Sequence, residues 1–326
     1  MSTRVCGLLA VLLLPLCAAA ADDPRATALG LFQARKYPEA AQSLEPLQRK
    51  SPKDAELLYA LGVSYLYQTP TRAEPAVEAL REAVKLAPTN IEYRLRLGEA
   101  LGAYVNEVGM FSKLGIAHEI RDTFLKAVEL QPDSLDARDG LMQFYLSAPG
   151  FAGGDEDKAR EQAAEIARRN AAKGHAAYAK LAYVAHNYEQ AFTEYKAAIA
   201  AAPADEDVRW ELAAGYQEQK RYEEAFAAFE DLLKLNPKKP RALYQLGKTA
   251  VLASQRLARG EEVLKAYLAA GPGAGDPPLS AAHWRLGQLY ELDQRRDEAR
   301  QEYEAALKLD PKFAEAATSL KKLGKS

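Results

Sequence analysis

Between Glu206 and Lys239 the apolar positions fall at Leu212-Ala213 and Tyr216, then at Tyr222, Ala225, Phe229 and Leu232. Recurrence every three or four residues in each half is the period of an amphipathic helix. The polar stretch Gln219-Lys220-Arg221 separates the halves and Pro237 follows the second. The pattern predicts two short helices joined by a tight turn, an antiparallel hairpin. It returns near the C-terminus as Leu286-Gly287, Tyr290, Ala299, Tyr303, Ala306 and Pro311, and near the N-terminus as Leu61-Gly62, Tyr65, Ala76, Leu80, Ala83 and Pro88. Prolines at 52, 88, 132, 203, 237, 272 and 311 punctuate the second helices, with separations of 36, 44, 71, 34, 35 and 39 residues. The longest gap holds two units with one proline missing near Ala171, which gives eight units. Gly or Ala in the first helix and Ala in the second permit close helix approach, and proline ends each unit because it cannot continue a helix.

These residues, at a repeat of about 34, resemble the tetratricopeptide-repeat (TPR) family. The resemblance covers nearly all of the chain beyond its first residues. It implies an all-α fold, a right-handed TPR superhelix (α-solenoid) of about eight helix-turn-helix units over 22–311. The first helices would line a concave face. A capping helix is expected over 312–326, with Lys321, Lys322 and Lys325 near its end, where cations suit the helix dipole.

Three stretches break the repeat. In the third unit the pattern after Leu97-Gly98 and Leu101 resumes at Phe124 and Ala127 about ten residues late. The extra residues near 102–115 include Tyr104, Val105, Val108, Met110, Phe111 and Leu114, with Ile116 just beyond. They read as an extension of both helices into a projecting hairpin with Ser112 as N-cap, either an apolar lip for a partner or membrane surface, or a tip folded onto a neighbouring unit. The second stretch, 148–156, is glycine-rich and precedes a helix. It lacks the Gly-Lys-Ser/Thr ending of a nucleotide loop, and it reads as a long turn with Asp155 as helix cap. The third, 273–279, reads as a linker.

Composition changes the picture at the N-terminus. Arg4 followed by the apolar run Val5 to Leu16 and the small residues Ala18 to Ala21 reads as a secretory signal peptide, 1–21, cleaved near Ala21. The expected location is therefore periplasmic or extracellular. As a membrane anchor, Val5 to Ala21 is at the short limit for spanning. Both cysteines, Cys6 and Cys17, lie in this segment, so no disulfide is expected beyond it, and Leu14-Pro15-Leu16 argues against lipidation of Cys17. Without Arg4 the charged side chains are 42 basic (43 less one) against 45 acidic, a net charge of −3. That is no basis for nucleic-acid binding.

Catalytic chemistry finds little footing. His118-Glu119-Ile120-Arg121-Asp122 approaches a zinc-protease helix motif, but Asp122 stands where the second histidine belongs. His175 and His186 read as sharing a helix face roughly 16 Å apart, too far to share a metal. No catalytic residue, metal ligand or cofactor is expected, and the chain reads as a non-enzyme. Within the TPR geometry, the residue two before each Leu-Gly or Leu-Ala pair faces inward. In the C-terminal half these are Trp210, Tyr244 and Trp284, a row suited to binding unless it packs on the neighbouring helix. Tyr183 and Lys248 stand beside it, and with Met110 and Phe111 they complete the candidate partner-binding residues. The expected function is a protein-interaction scaffold that holds a peptide or helix, in envelope or secretion-machinery assembly. Glycan binding through the aromatic row and membrane-surface contact through the lip are the alternatives.

Overall fold

The computed structural model describes residues 23–273 and 275–324. The expected signal peptide, with Cys6 and Cys17, and Lys325 lie outside them. Among the described residues the chain is all helix, with no strand. The helices pair in chain order into eight hairpins: α1 (Pro24–Gln33) with α2 (Tyr37–Lys50), α3 (Ala55–Tyr67) with α4 (Ala73–Leu86), α5 (Ile91–Tyr104) with α6 (Met110–Leu130), and α7 (Leu135–Ser147) with α8 (Glu156–Arg169). There follow α9 (Ala171–Val184) with α10 (Tyr188–Ala201), α11 (Glu206–Glu218) with α12 (Tyr222–Leu235), α13 (Pro240–Ala253) with α14 (Leu257–Ala270), and α15 (Leu279–Leu292) with α16 (Arg296–Leu309). A lone helix, α17 (Ala314–Leu323), packs on the last pair through Ala316 and Leu323.

Local chemistry sets the helix ends. Asp54, Asn90, Ser134, Asn170 and Asp205 precede the odd-numbered helices, and each side chain accepts a hydrogen bond from a backbone N–H of the first turn. Such a cap contributes about 1 kcal/mol. Each predicted proline lies two residues beyond an even-numbered helix, from Pro52 after Lys50 to Pro311 after Leu309. Six residues past three of these prolines an arginine folds back: Arg94, Arg138 and Arg209 donate to the carbonyls of Pro88, Pro132 and Pro203 at 2.7–3.1 Å. Where the proline is missing, Asn170 alone joins α8 to α9 and caps both. So short a link forces close approach: a Cβ on Gly174 would lie 2.4 Å from Ala167 Cα.

The regular turns inside hairpins span 34–36, 185–187, 219–221, 254–256 and 293–295. Each carries a residue in the left-handed region: Arg35, His186, Lys220, Ser254 or Gln294. His186 is therefore in a turn, beyond the end of α9. The expected shared face with His175 does not exist, because the helix stops at Val184.

Inside four of the pairs, a large side chain of the second helix fills a hole left by a glycine of the first. A Cβ on Gly62, Gly98, Gly247 or Gly287 would lie 2.4–2.6 Å from Leu80, Phe124, Leu264 or Tyr303 respectively. The fourth hairpin reverses the sizes: Met142 replaces the Gly or Ala, Ala163 replaces the large residue, and both are fully buried in one cluster.

Two expectations about the departures need correction. The third hairpin does not lengthen in both helices. α5 ends at Tyr104 like its counterparts, and only α6 grows, to 21 residues. Its N-cap is Gly109, and Ser112 lies in the first turn, where its N–H bonds to Gly109 O. The apolar tip also divides. Ile116 is buried, and Tyr104, Val105 and Val108 pack partly against the core, whereas Met110, Phe111 and Leu114 are exposed. The 271–278 connection is anchored: the buried Tyr267 donates its hydroxyl to Pro277 O, and Asp276 accepts from Gly273 N.

Ion pairs stitch consecutive hairpins together. Arg81 on α4 forms a bidentate pair with Glu119 on α6 at 2.6–2.7 Å. Glu261 on α14 accepts from Lys265, Tyr290 and Arg295 at 2.6–2.9 Å. Burial alone would raise its carboxyl, but these three donors outweigh it and hold the group at about 2.

Two outcomes follow from this packing. Gly98→Ala forces a methyl into a ring confined between Gly98 and Gly140, and destabilises by about 1–3 kcal/mol. Gly115→Ala, in open space on α6, stabilises by about 0.5–1 kcal/mol; urea titration of both variants measures the opposite signs. The depressed Glu261 carboxyl contributes stability above its unfolded value near 4.5, and that contribution is lost as pH falls toward 2. Glu261→Gln therefore lowers stability by about 1–2 kcal/mol at pH 7, after discounting for solvent screening, and the gap to the parent closes near pH 2 in paired thermal melts.

Candidate binding cleft

The two early departures from the repeat meet in space. A cleft of about 1060 Å³ opens between α5, α6, α7 and the 148–152 segment. Its base is apolar, with Leu95, Ala117, Phe124, Phe144 and Ala152 all buried. Phe124 anchors that base. Its ring lies between two glycines of different hairpins, since a Cβ on Gly98 or Gly140 would sit 2.4 or 2.3 Å from it. Gly140 occupies the place just before the leucine that is Arg96, Lys180 or Arg285 in other hairpins, so that wall carries no side chain at this point.

One lip is the extra length of α6, which carries Met110 (76% exposed) and Leu114 (40% exposed). Phe111 is fully exposed but does not line the cleft. The opposite lip is the eight-residue connection 148–155, where a 3-10 turn, Gly150–Ala152, presents Phe151 at 80% exposure. This loop is held by its own backbone. Ala152 N and Gly154 N donate to Pro149 O at 2.8 and 3.1 Å, and Asp155 N donates to Tyr145 O at 2.9 Å. Gly153 supplies a left-handed φ of 100°. A Cβ on Gly154 would strike Ala148 O at 1.7 Å, so only glycine fits there. Asp155 caps α8 by accepting from Lys158 N. A solvent-facing aromatic on so braced a loop loses little entropy when a partner covers it.

Polar groups frame the apolar base. Arg96 pairs with Glu92 and Glu99 at 2.8 and 2.7 Å, and Asp139 pairs with Lys180 at 3.0 Å. Gln143 donates to Asp139, and Tyr67 donates to Glu99. These charges are internally matched, whereas the apolar lips, and Lys113 beside them, have no polar partner among the described residues.

Of the two readings of the C-terminal aromatic row, packing against a neighbouring helix matches the geometry. Tyr244 is buried at 6% exposure and packs on Tyr267, with centroids 5.4 Å apart. Trp210 meets Phe229 edge-on at 5.7 Å, and the Arg241 guanidinium covers its ring at 3.8 Å. Trp284 meets Phe313 at 5.5 Å, carries Arg285 over its ring at 4.2 Å, and donates Nε1–H to Ser319. The row therefore serves as inter-helix packing, and its rings offer no open stack for a sugar. Tyr183 lies against Tyr188 and Phe192 and donates to Glu218 at 2.7 Å. Lys248 is half-buried on α13. Of the sequence-predicted residues, the cleft gathers Met110 alone. Leu114 belongs to the apolar lip read from the sequence, whereas sequence reasoning missed Phe151 and Gly140, although Gly140 departs from its counterparts in a way the aligned repeats display.

His175 and His283 hold equivalent places in their hairpins, and each Nδ1 meets a carboxylate nineteen residues on, Glu194 at 2.7 Å and Glu302 at 2.6 Å. These are braces within hairpins. Among the described residues no group of three or more His, Cys, Asp or Glu is placed to hold a metal, and no helix is long and apolar enough to cross a membrane.

Family models described as tetratricopeptide repeat match residues 25–91 and 176–240, residues 216–277, and residues 280–322. The matches flank 92–175, the two hairpins that build the cleft. No curated protein matches the sequence. Similar solved structures include a thermophilic TPR protein of Thermus thermophilus, at 21% identity over 60% of this chain and 97% of that one, with a TM-score of 0.48. Pseudomonas aeruginosa pilF matches at 17% identity over 70% and 95%, TM-score 0.47. YrrB, described as a TPR protein with an unusual peptide-binding site, matches at 16% identity over 75% and 99%, TM-score 0.40. Stacked hairpins with small-to-large packing, proline punctuation and these model matches on both sides of the cleft lead to one assignment: the chain belongs to the tetratricopeptide-repeat family.

Proposed function

We propose that the protein is a non-catalytic interaction scaffold of the cell envelope, which holds an apolar segment of a partner protein in the α5–α6–α7 cleft. The observation that carries this reading is the convergence of Met110, Leu114 and Phe151 on the mouth of one apolar-based cleft. Elsewhere the exposed large apolar residues are scattered, several of them at helix ends such as Leu86, Leu235 and Leu309. A partner's amphipathic helix or extended peptide suits the site, since apolar anchors seated in a groove are how such segments are held. Residues 1–21 are read as directing export and being removed, which puts the scaffold in the periplasm or outside the cell.

The triple variant Met110→Ala, Leu114→Ala, Phe151→Ala leaves the fold intact, because these side chains are exposed. It lowers retention of the partner from envelope extract about tenfold or more. A photo-reactive benzoylphenylalanine in place of Phe151 cross-links the same partner, and one in place of Leu309 does not. Equal retention by parent and variant, or equal cross-linking from both positions, overturns the cleft as the binding site. Mass spectrometry of the periplasmic fraction is expected to find an N-terminus at Asp22 or Asp23.

A further inference from the structure

Sulfur is scarce in this chain and unevenly placed. Met1, Cys6 and Cys17 all fall within residues 1–21, so beyond that stretch the sequence holds two sulfur atoms, in Met110 and Met142. The fold gives these two opposite surroundings. Met142 is fully buried on α7, in the cluster that also contains Leu141, Phe144, Ala159 and Ala163. Met110 opens α6, is 76% exposed, and lines the mouth of the cleft with Leu114 one turn further on.

A thioether in contact with water is open to two-electron oxidation, whereas one packed in a core is protected until the core opens. Oxidants that act on sulfur therefore meet one accessible target among the described residues. That target stands where a partner makes contact. Leu114 and Phe151, the other exposed apolar residues at the mouth, are hydrocarbon and do not share its chemistry.

We infer that Met110 is an oxidative modification site, and that its conversion to the sulfoxide by a peroxide weakens the cleft's hold on an apolar partner. This rests on the proposal that the cleft holds a partner, and adds its regulation. A lone pair of the Met110 Sδ attacks one oxygen of hydrogen peroxide. The O–O bond breaks, the proton of the attacked oxygen passes to the departing hydroxide, and the products are methionine sulfoxide and water. Sulfur loses the two electrons that the peroxide gains. The new oxygen is a strong hydrogen-bond acceptor, and an apolar segment seated against it strips its water without returning a donor. The unmodified thioether carries no such cost, and its flexible, polarisable chain adapts to an irregular apolar surface. The fold itself is indifferent to the change, because Met110 is exposed and belongs to none of the buried clusters. Reduction by methionine sulfoxide reductases reverses the modification.

The probe is the apolar dye anilinonaphthalene sulfonate, whose fluorescence rises in a water-poor site, titrated into the purified protein before and after hydrogen peroxide. Peroxide is expected to add one oxygen, mapped by peptide mass spectrometry to Met110 with Met142 unchanged. Dye binding weakens about tenfold, and the melting curve does not move. Met110→Gln, with a polar side chain of similar length, is expected to bind as weakly as the oxidised parent without any peroxide. In Met110→Leu the affinity is the same before and after peroxide. A pair of reductases acting on both sulfoxide epimers, supplied with dithiothreitol, restores the binding of the oxidised parent. Oxidation of Met142 as fast as Met110, unchanged dye binding by the oxidised parent, or an equal loss in peroxide-treated Met110→Leu overturns the inference. The two readings fail separately. Dye binding that survives the triple variant Met110→Ala, Leu114→Ala, Phe151→Ala overturns the cleft and the modification together, whereas binding lost in that variant but indifferent to peroxide overturns the modification alone.

Discussion

Everything in this molecule depends on one repeated contact: a large side chain of the second helix seated in a hole left by a missing side chain on the first. Gly62 with Leu80, Gly98 with Phe124, Gly247 with Leu264 and Gly287 with Tyr303 are four instances. The contact fixes how closely two helices approach. Because neither helix buries its apolar stripe alone, each pair must stack on the next. A constant pitch follows, and with it a register that repeats from hairpin to hairpin. That register makes Ala60, Arg96, Gly140, Lys180, Glu211, Gln245 and Arg285 equivalent positions whose surroundings can be compared directly.

The cleft arises where this contact is modified. Phe124 is shared between Gly98 of its own hairpin and Gly140 of the next, so one ring spans two units. The fourth hairpin then exchanges the sizes of its partners, Met142 for the usual small residue and Ala163 for the usual large one. α6 runs beyond the end of α5, and the 148–155 connection replaces a short turn with a braced loop. Extra helix on one side and extra loop on the other leave space between them that no neighbouring helix fills. The same changes disturb the regular spacing of 92–175.

Much of the fold was legible because its causes are local. Proline two residues past a helix, a short polar side chain ahead of the next, and apolar residues at helical period are each visible in the chain. Asn170 shows the limit. The missing proline near Ala171 was detectable as a gap, but not that one asparagine ends α8 and starts α9 together. The candidate site was less legible because it is made by tertiary meeting. Nothing in 102–115 or in 148–156 announces that the two face each other, and Phe151 looks like one more loop residue. The aromatic row stayed open between display and packing for a related reason. Trp210, Tyr244 and Trp284 occupy inward positions, but Phe229, Tyr267 and Phe313 lie where they can pack against them, and burying large rings outweighs displaying them.

A stack of nearest-neighbour contacts also explains how the chain tolerates locally unfavourable features. Exposed Met110 and Phe151 gain nothing for folding. In a single-core protein such terms would be felt throughout. Here they are confined to the hairpins that carry them, which keep ion pairs to their neighbours, such as Arg81 of the second hairpin with Glu119 of the third.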